Sequence, residues 1–422
     1  MRSLWIVALL SVGAPAAAPP EPTPAALAED FARFCSEVKS TYAYFDDGAR
    51  RWDAVAELYA PDLRRIRTRR EFVELLEQAI AELHDDHAHL NVNIETSPWL
   101  VPSGADLWPE WVGAAATVVE VRPGSDAERA GLRPGAVVAA VDGIPVAQAT
   151  ERIFGRTVDR SDPEVRNWAL RRLLAGRRGQ PRRIEAEQQG SRRLFELPAK
   201  AAIGSDQPPV TFRRLDGEVG YLRFNDSLGD GATVDAFDGA LAALRDTKGL
   251  IVDLRETPSG GNSTVARGIL GRFLAREAGY QKHDLPAEER ASGIRRSWIE
   301  LVSPRGPFRY AGRVTVLVGR WTGSMGEGLA IGFDAVAGAT TVGGPMAQLR
   351  GATHRIELPH TGIGVSVPAE RLYHVNGTPR EAFRPRIAVS ASAGAERDAV
   401  LEAGLREVLA SGAERAGGST PE

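Results

Sequence analysis

The sequence predicts an α/β fold preceded by a helical segment, and three observations carry that prediction. Over residues 209–395, short β-branched runs alternate with apolar helical patterns: GEVGYLRF, Thr233–Leu244, GLIVDLR, Asn262–Phe273, RVTVLV at Arg313–Val318, Gly326–Ala337 and ATTVGG. Repeated strand–helix units call for a layered sheet covered by helices. Residues 24–90 show helical spacing alone, with Phe31, Phe34, Val38 and Tyr42 on one stripe and Phe72, Leu75, Leu76, Ile80 and Leu83 on another. Between them, residues 118–146 (VVEVRPGSDAERAGLRPGAVVAAVDGIPV) read as strand, Pro-Gly turn, short helix over Asp126–Ala130, second Pro-Gly turn, strand and the tight turn Asp142-Gly143.

In chain order, Arg2 precedes a ten-residue apolar run, LWIVALLSVG, and the small-residue stretch APAAAPP. One basic charge, a short apolar core and small residues make residues 1–18 a signal peptide with cleavage near Ala16. The run is short for a bilayer span, so an uncleaved anchor is the lesser reading. A helical domain is expected over 19–97, ending in a β-run at Asn91–Ile94. A second unit covers 98–208 and the α/β core 209–410. The Gly/Ser/Glu-rich tail, 411–422, is expected to be disordered.

Across 422 residues the apolar share is 43%, the charged share 25% and the net charge −3. That balance gives no electrostatic basis for binding nucleic acid or a membrane surface. Cys35 is the only cysteine, which rules out an intramolecular disulfide, and its place in the first helical stripe assigns it to packing.

Ser324 lies in Gly319-Arg320-Trp321-Thr322-Gly323-Ser324-Met325-Gly326-Glu327, between the RVTVLV strand and an apolar helix. A serine at such a turn is either a helix N-cap or a nucleophile whose neighbouring backbone N–H groups face the group it attacks. A second Gly-rich turn, Pro258-Ser259-Gly260-Gly261, follows GLIVDLR and lets backbone approach a ligand closely. It lacks the Lys-Ser/Thr ending of a phosphate-binding loop. His84, Asp85, Asp86, His87 and His89 form the one cluster of ligand-like residues, but no further ligand group can be placed beside it, so no metal is expected.

Residues 209–395 resemble the catalytic core of the tail-specific, or C-terminal processing, serine peptidase family, nearest its tricorn-core and retinoid-binding-protein-like branch. The blocks GEVGYLRF, GLIVDLRETPSGGNSTVA and VTVLVGRWTGSMGEGLAIGF with TTVGGPM carry the resemblance. Residues 98–208 resemble a circularly permuted PDZ domain, a module that binds peptide tails by strand addition. The resemblance implies a crotonase/ClpP-like α/β core, no cofactor, and a peptide or unfolded protein as substrate, captured by its C-terminus. It makes Ser324 the nucleophile, with Glu327 structural. It takes the oxyanion donors from Gly261 and Met325. Asp253 and Arg255 are read as structural.

Family members activate the serine with a lysine or a histidine. No lysine follows Ser324, and Arg350 stays protonated and cannot serve as a base. The resemblance therefore points to His87 in Asp86-His87-Ala88, with His84 and His89 as competitors. Glu381, in GTPRE and 57 residues after Ser324, matches the glutamate that orients the base, with Glu370 as the alternative. Asp86 departs from the branch, which has serine there. It either faces His87 as a second carboxylate or holds the N-terminal domain in place. The expected protein is an exported serine endopeptidase, with a Ser-His-Glu site. The alternatives are a non-catalytic binder of peptides or apolar ligands and a crotonase-like thioester enzyme.

Overall fold

The computed structural model describes residues 21–45, 52–200, 207–215, 218–389 and 397–410. The expected signal peptide and disordered tail lie outside the described residues.

The N-terminal layer is built from α1 (Pro24–Thr41), α2 (Val55–Leu63) and α3 (Arg69–Ile80). Thr23 caps α1 by accepting the Ala26 N–H, and Thr68 and Glu71 form a reciprocal capping box on α3, so both starts are written in the sequence. The expected apolar stripes are the buried faces. Cys35 packs at the edge of this cluster, where burial pushes its thiol up to about 12, far from nucleophilic.

The segment after α3 departs from expectation. Its strand, β1, is only His89–Leu90, and Asn91–Ile94 is not a strand. β1 pairs antiparallel with a long strand of the core, His89 opposite Ser366 and Leu90 opposite Val365. The helices also bury Ile356, Leu358, Ile363, Val365 and Val367 of the core. This docking carries the histidine segment to the core.

The middle unit holds β2 (Leu107–Val112), β3 (Ala115–Val121), β4 (Val137–Val141), α4 (Pro163–Ala175), β5 (Arg182–Gln188) and β6 (Ser191–Leu197). Its sheet runs β2-β3-β4-β5-β6, with a short strand at Ile144–Pro145 pairing β4. Asp142 (φ 51°) and Gly143 (φ 78°) make that hairpin, as the Asp-Gly pair requires. A cluster around Val118, Leu170, Leu174 and Ile184 forms its own core.

The core contains β7 (Val210–Leu215), β8 (Val219–Phe224), α5 (Ala232–Ala243), β9 (Gly249–Asp253), α6 (Ser263–Leu270), β10 (Ala278–Asp284), β11 (Ser297–Val302), β12 (Arg313–Val318), α7 (Met325–Ala337), β13 (Thr340–Gly343), β14 (Ala352–Glu357), β15 (Gly364–His374), β16 (Ile387–Ala388) and α8 (Ala399–Leu409). Its main sheet runs β16-β13-β12-β9-β8-β7, parallel except for the β7–β8 hairpin. α5, α6 and α7 cover one face around Phe237, Ile269 and Phe333, and α8 covers the other around Val400 and Ala403. The mixed α/β class is as expected. The second core sheet, in which β15 joins β1, β14 and β10 and β11 flanks β10, was not expected from the repeated strand–helix pattern.

Candidate active site

β12 ends in the loop that presents Ser324, and α7 begins at Met325. Ser324 has φ 50° and ψ −112°. An ordinary N-cap is extended; a non-glycine residue in this left-handed region carries strain of the kind found where a side chain must be aimed. Its N–H is held by Glu327 Oε2 at 3.0 Å. Glu327 is fully buried and also accepts the N–H groups of Gln348 at 2.8 Å and Leu349 at 3.2 Å. Burial pushes its carboxyl up to about 7, opposed by Arg380 and these N–H groups.

The Gly-rich turn is stitched to the same loop. Thr257 donates its N–H to Trp321 O, and Gly323 donates to Thr257 O. Gly260 (φ 70°) stands so close that a Cβ there would lie 2.4 Å from Ser324 Cβ and 2.9 Å from its Oγ. Glycine is therefore obligatory at 260 on two counts, conformation and space. The Gly260 N–H is committed to Thr257 O at 3.2 Å. Among the described residues, no hydrogen bond holds the Gly261 or Met325 N–H. Gly261 itself is pressed against Leu228 O.

His87 is half-buried after a left-handed residue, His84 (φ 37°). Its N–H is fixed by Asp85 Oδ1 at 2.8 Å, and its Nδ1 lies 2.6 Å from the Arg350 carbonyl oxygen. A carbonyl only accepts, so Nδ1 carries the proton and Nε2 keeps its lone pair, the tautomer a general base needs. Burial, then Arg380, lowers the imidazole pKa to about 4. His89 turns back, with Nδ1 3.0 Å from His87 O.

The remaining expected residues are engaged with other partners. Asp86 faces Arg171 of α4, its Oδ2 3.3 Å from Nη2, rather than the imidazole. Glu381 sits in a short 3-10 turn, Arg380–Ala382, and its carbonyl accepts Gln348 Nε2 at 2.9 Å. Its Oε2 is buried without a hydrogen-bond partner among the described residues, as is the Tyr44 hydroxyl, whose pKa is raised by burial and by the Glu381 charge. No hydrogen bond joins Glu381 to His87 among the described residues. Glu370 is engaged with His283 Nδ1 at 2.7 Å. Asp253 and Arg255 pair with each other, and Arg255 also pairs with Asp398. No group of three or more His, Cys, Asp or Glu side chains among the described residues is arranged to hold a metal.

Residues 348–350 tie these parts together, a role sequence reasoning missed. Gln348 (φ 63°) and Leu349 bond Glu327 beneath Ser324, Gln348 holds the Glu381 carbonyl, and Arg350 holds His87. Arg380, almost wholly buried, donates to Leu349 O and Gly351 O. The sequence signal was the left-handed potential of Gly343 and Gly351 around this stretch, realised at φ 137° and 52°.

Residues 218–389 match the family described as Peptidase family S41, and residues 23–81 match the Tricorn protease C1 domain. The fold is similar to that of the photosystem II D1 C-terminal processing protease, at 19% identity over 86% of this chain and 93% of that one, with a TM-score of 0.55. It is also similar to mature CPAF, at 15% identity over 88% and 93%, with a TM-score of 0.56.

Proposed function

This chain is a serine peptidase with a family S41 core, and on that premise we propose that it is an exported endopeptidase working through Ser324, His87 and Glu381. The observation that carries this reading is the 348–350 strap, which is bonded at once to the turn below Ser324, to His87 Nδ1 and to the Glu381 backbone. His87 Nε2 takes the Ser324 hydroxyl proton as Oγ attacks a peptide carbonyl carbon. The Gly261 and Met325 N–H groups receive the developing oxyanion. Collapse breaks the C–N bond, and His87 returns the proton to the departing amine. Water then hydrolyses the acyl-enzyme by the same steps.

The Arg350 carbonyl orients the imidazole, and the Glu381 carboxylate, whose backbone is anchored to the same strap, is assigned to stabilise the imidazolium through space. Asp86 acts as a strut, not as a second carboxylate at the ring. The substrate is a peptide or unfolded protein, and the PDZ-like unit over 98–208 is where its C-terminus is recognised. Export is read from the sequence before residue 19; no helix among the described residues is long and apolar enough to cross a membrane.

A fluorophosphonate probe, followed by mass spectrometry of an unfolded protein substrate, tests this reading. Labelling at Ser324 that disappears in His87→Ala, with fragments absent in Ser324→Ala, is the expected result. An unlabelled wild type that cleaves nothing would turn the reading over to a binding protein.

A further inference from the structure

The middle unit touches both halves of the site through one indole ring. Trp108, on β2, is buried. The Arg171 guanidinium of α4 lies 5.2 Å from its ring centroid, and that of Arg320 lies 4.8 Å from it. Each arginine then reaches a different half. Arg171 holds Asp86, whose peptide is joined to His87. Arg320 stands four residues before Ser324, bonds Glu110 of β2 at 2.7 Å, and donates to Gln348 of the strap at 3.2 Å. Trp321 packs edge-on against Trp108 and donates its indole N–H to Ala105 O at 2.8 Å.

Two like charges would not share a ring without compensation. Here Asp86 neutralises one, Glu110 and Glu120 face the other, and the ring's negative face attracts both. A sideways shift of either segment must break a cation–π contact and an ion pair together. Loss of one arginine frees the other to relax.

We propose that Trp108, gripping Arg171 and Arg320, is the positioning residue that fixes the His87 segment relative to the Ser324 loop. This rests on the Ser324–His87 reading and adds to it a role for the middle unit as a brace across the site. Asp86, Trp108, Arg171 and Arg320 lie far apart along the chain, so only the tertiary fold joins them.

The test measures acylation of Ser324 by a fluorophosphonate, separating the maximal rate from the half-saturating concentration, beside the His87 ring nitrogen signal by NMR. Trp108→Leu and Arg171→Met are expected to lower the maximal rate about 10-fold or more with little change in half-saturation, because misalignment costs rate and not capture. Trp108→Phe and Arg171→Lys, which keep a ring or a charge, are expected to recover most of it. The double variant should fall no further than the worse single one. The His87 signal should move in the two damaging variants. Arg171 is partly exposed, so its variants report even where Trp108→Leu fails to fold.

Folded Arg171→Met protein that acylates within about twofold of wild type and leaves the His87 signal in place would overturn the proposal. Failure of the peptidase reading looks different: wild type itself takes no label at Ser324, and the brace then stands or falls on the His87 signal alone.

Discussion

The His87 imidazole donates its Nδ1–H to the Arg350 carbonyl oxygen across 2.6 Å. A backbone carbonyl thus does the orienting that a carboxylate would otherwise do. It selects the useful tautomer without placing a full negative charge against the ring, and burial is left free to depress the pKa to about 4.

The pH dependence follows. The folded pKa of His87 lies below its ordinary 6.5. Its contribution to stability is therefore present above that value and is lost as pH falls through about 4. Peptidase activity should keep its base down to that region, giving an acid limb well below the 6–7 typical of an unperturbed histidine. Thermal midpoints of wild type and His87→Gln from pH 4 to 7, beside the activity profile, check both. An acid limb near 6.5 would contradict the assignment.

Ser324→Ala and His87→Ala should each lower kcat by at least about a thousandfold, with folding intact. Glu381→Gln should cost less, about 10-fold, because Glu381 acts without a hydrogen bond to the ring. Steady-state cleavage of an unstructured substrate measures all three.

Gly260→Ala adds a methyl 2.4 Å from Ser324 Cβ at φ 70°. Neither the backbone nor Ser324 can yield cheaply, so a loss of about 2 kcal/mol or more and near-complete inactivation are expected. Chemical denaturation and probe labelling report the two effects separately.

Glu327→Gln should destabilise the turn by about 2–4 kcal/mol, since the amide can no longer offer two acceptor oxygens to three N–H donors. The folded pKa of Glu327 is raised from 4.5 to about 7. Its favourable contribution is complete below 4.5 and fades as pH rises through about 7, so the gap between wild type and variant should narrow at alkaline pH. Denaturation at pH 5 and pH 8 tests the sign.

The free edge of β2 bears on tail recognition. β2 ends its sheet, Pro109 there has no N–H, and the Trp111 N–H is taken by Asn167 Oδ1 of α4 at 2.7 Å. Strand addition requires those donors. Asn167→Ala should therefore strengthen binding of a peptide with a free C-terminus by about 3-fold or more, read by fluorescence anisotropy. Unchanged binding would mean that tails, if captured, dock elsewhere.

Much of this molecule was legible from one dimension. The capping box at Thr68, the Asp142-Gly143 hairpin and the β-branched run before Ser324 are local signals, and each produces the element its chemistry dictates. The second core sheet escaped because β10 and β11 carry buried Gln281 and His283 and half-buried Glu300 in one polar layer, which defeats a reading based on apolar alternation.

Reading along the chain was enough to single out candidate groups: a serine on a Gly-rich strand–helix turn, a histidine far upstream and no lysine downstream of the serine. What each group bonds is settled by folded contacts. The Arg350 carbonyl holds His87, Arg171 draws Asp86 away from the ring, and Trp108 collects two distant arginines. Those partners are backbone atoms and long flexible side chains brought together by the docking of helices and sheets, and no local pattern encodes such a meeting.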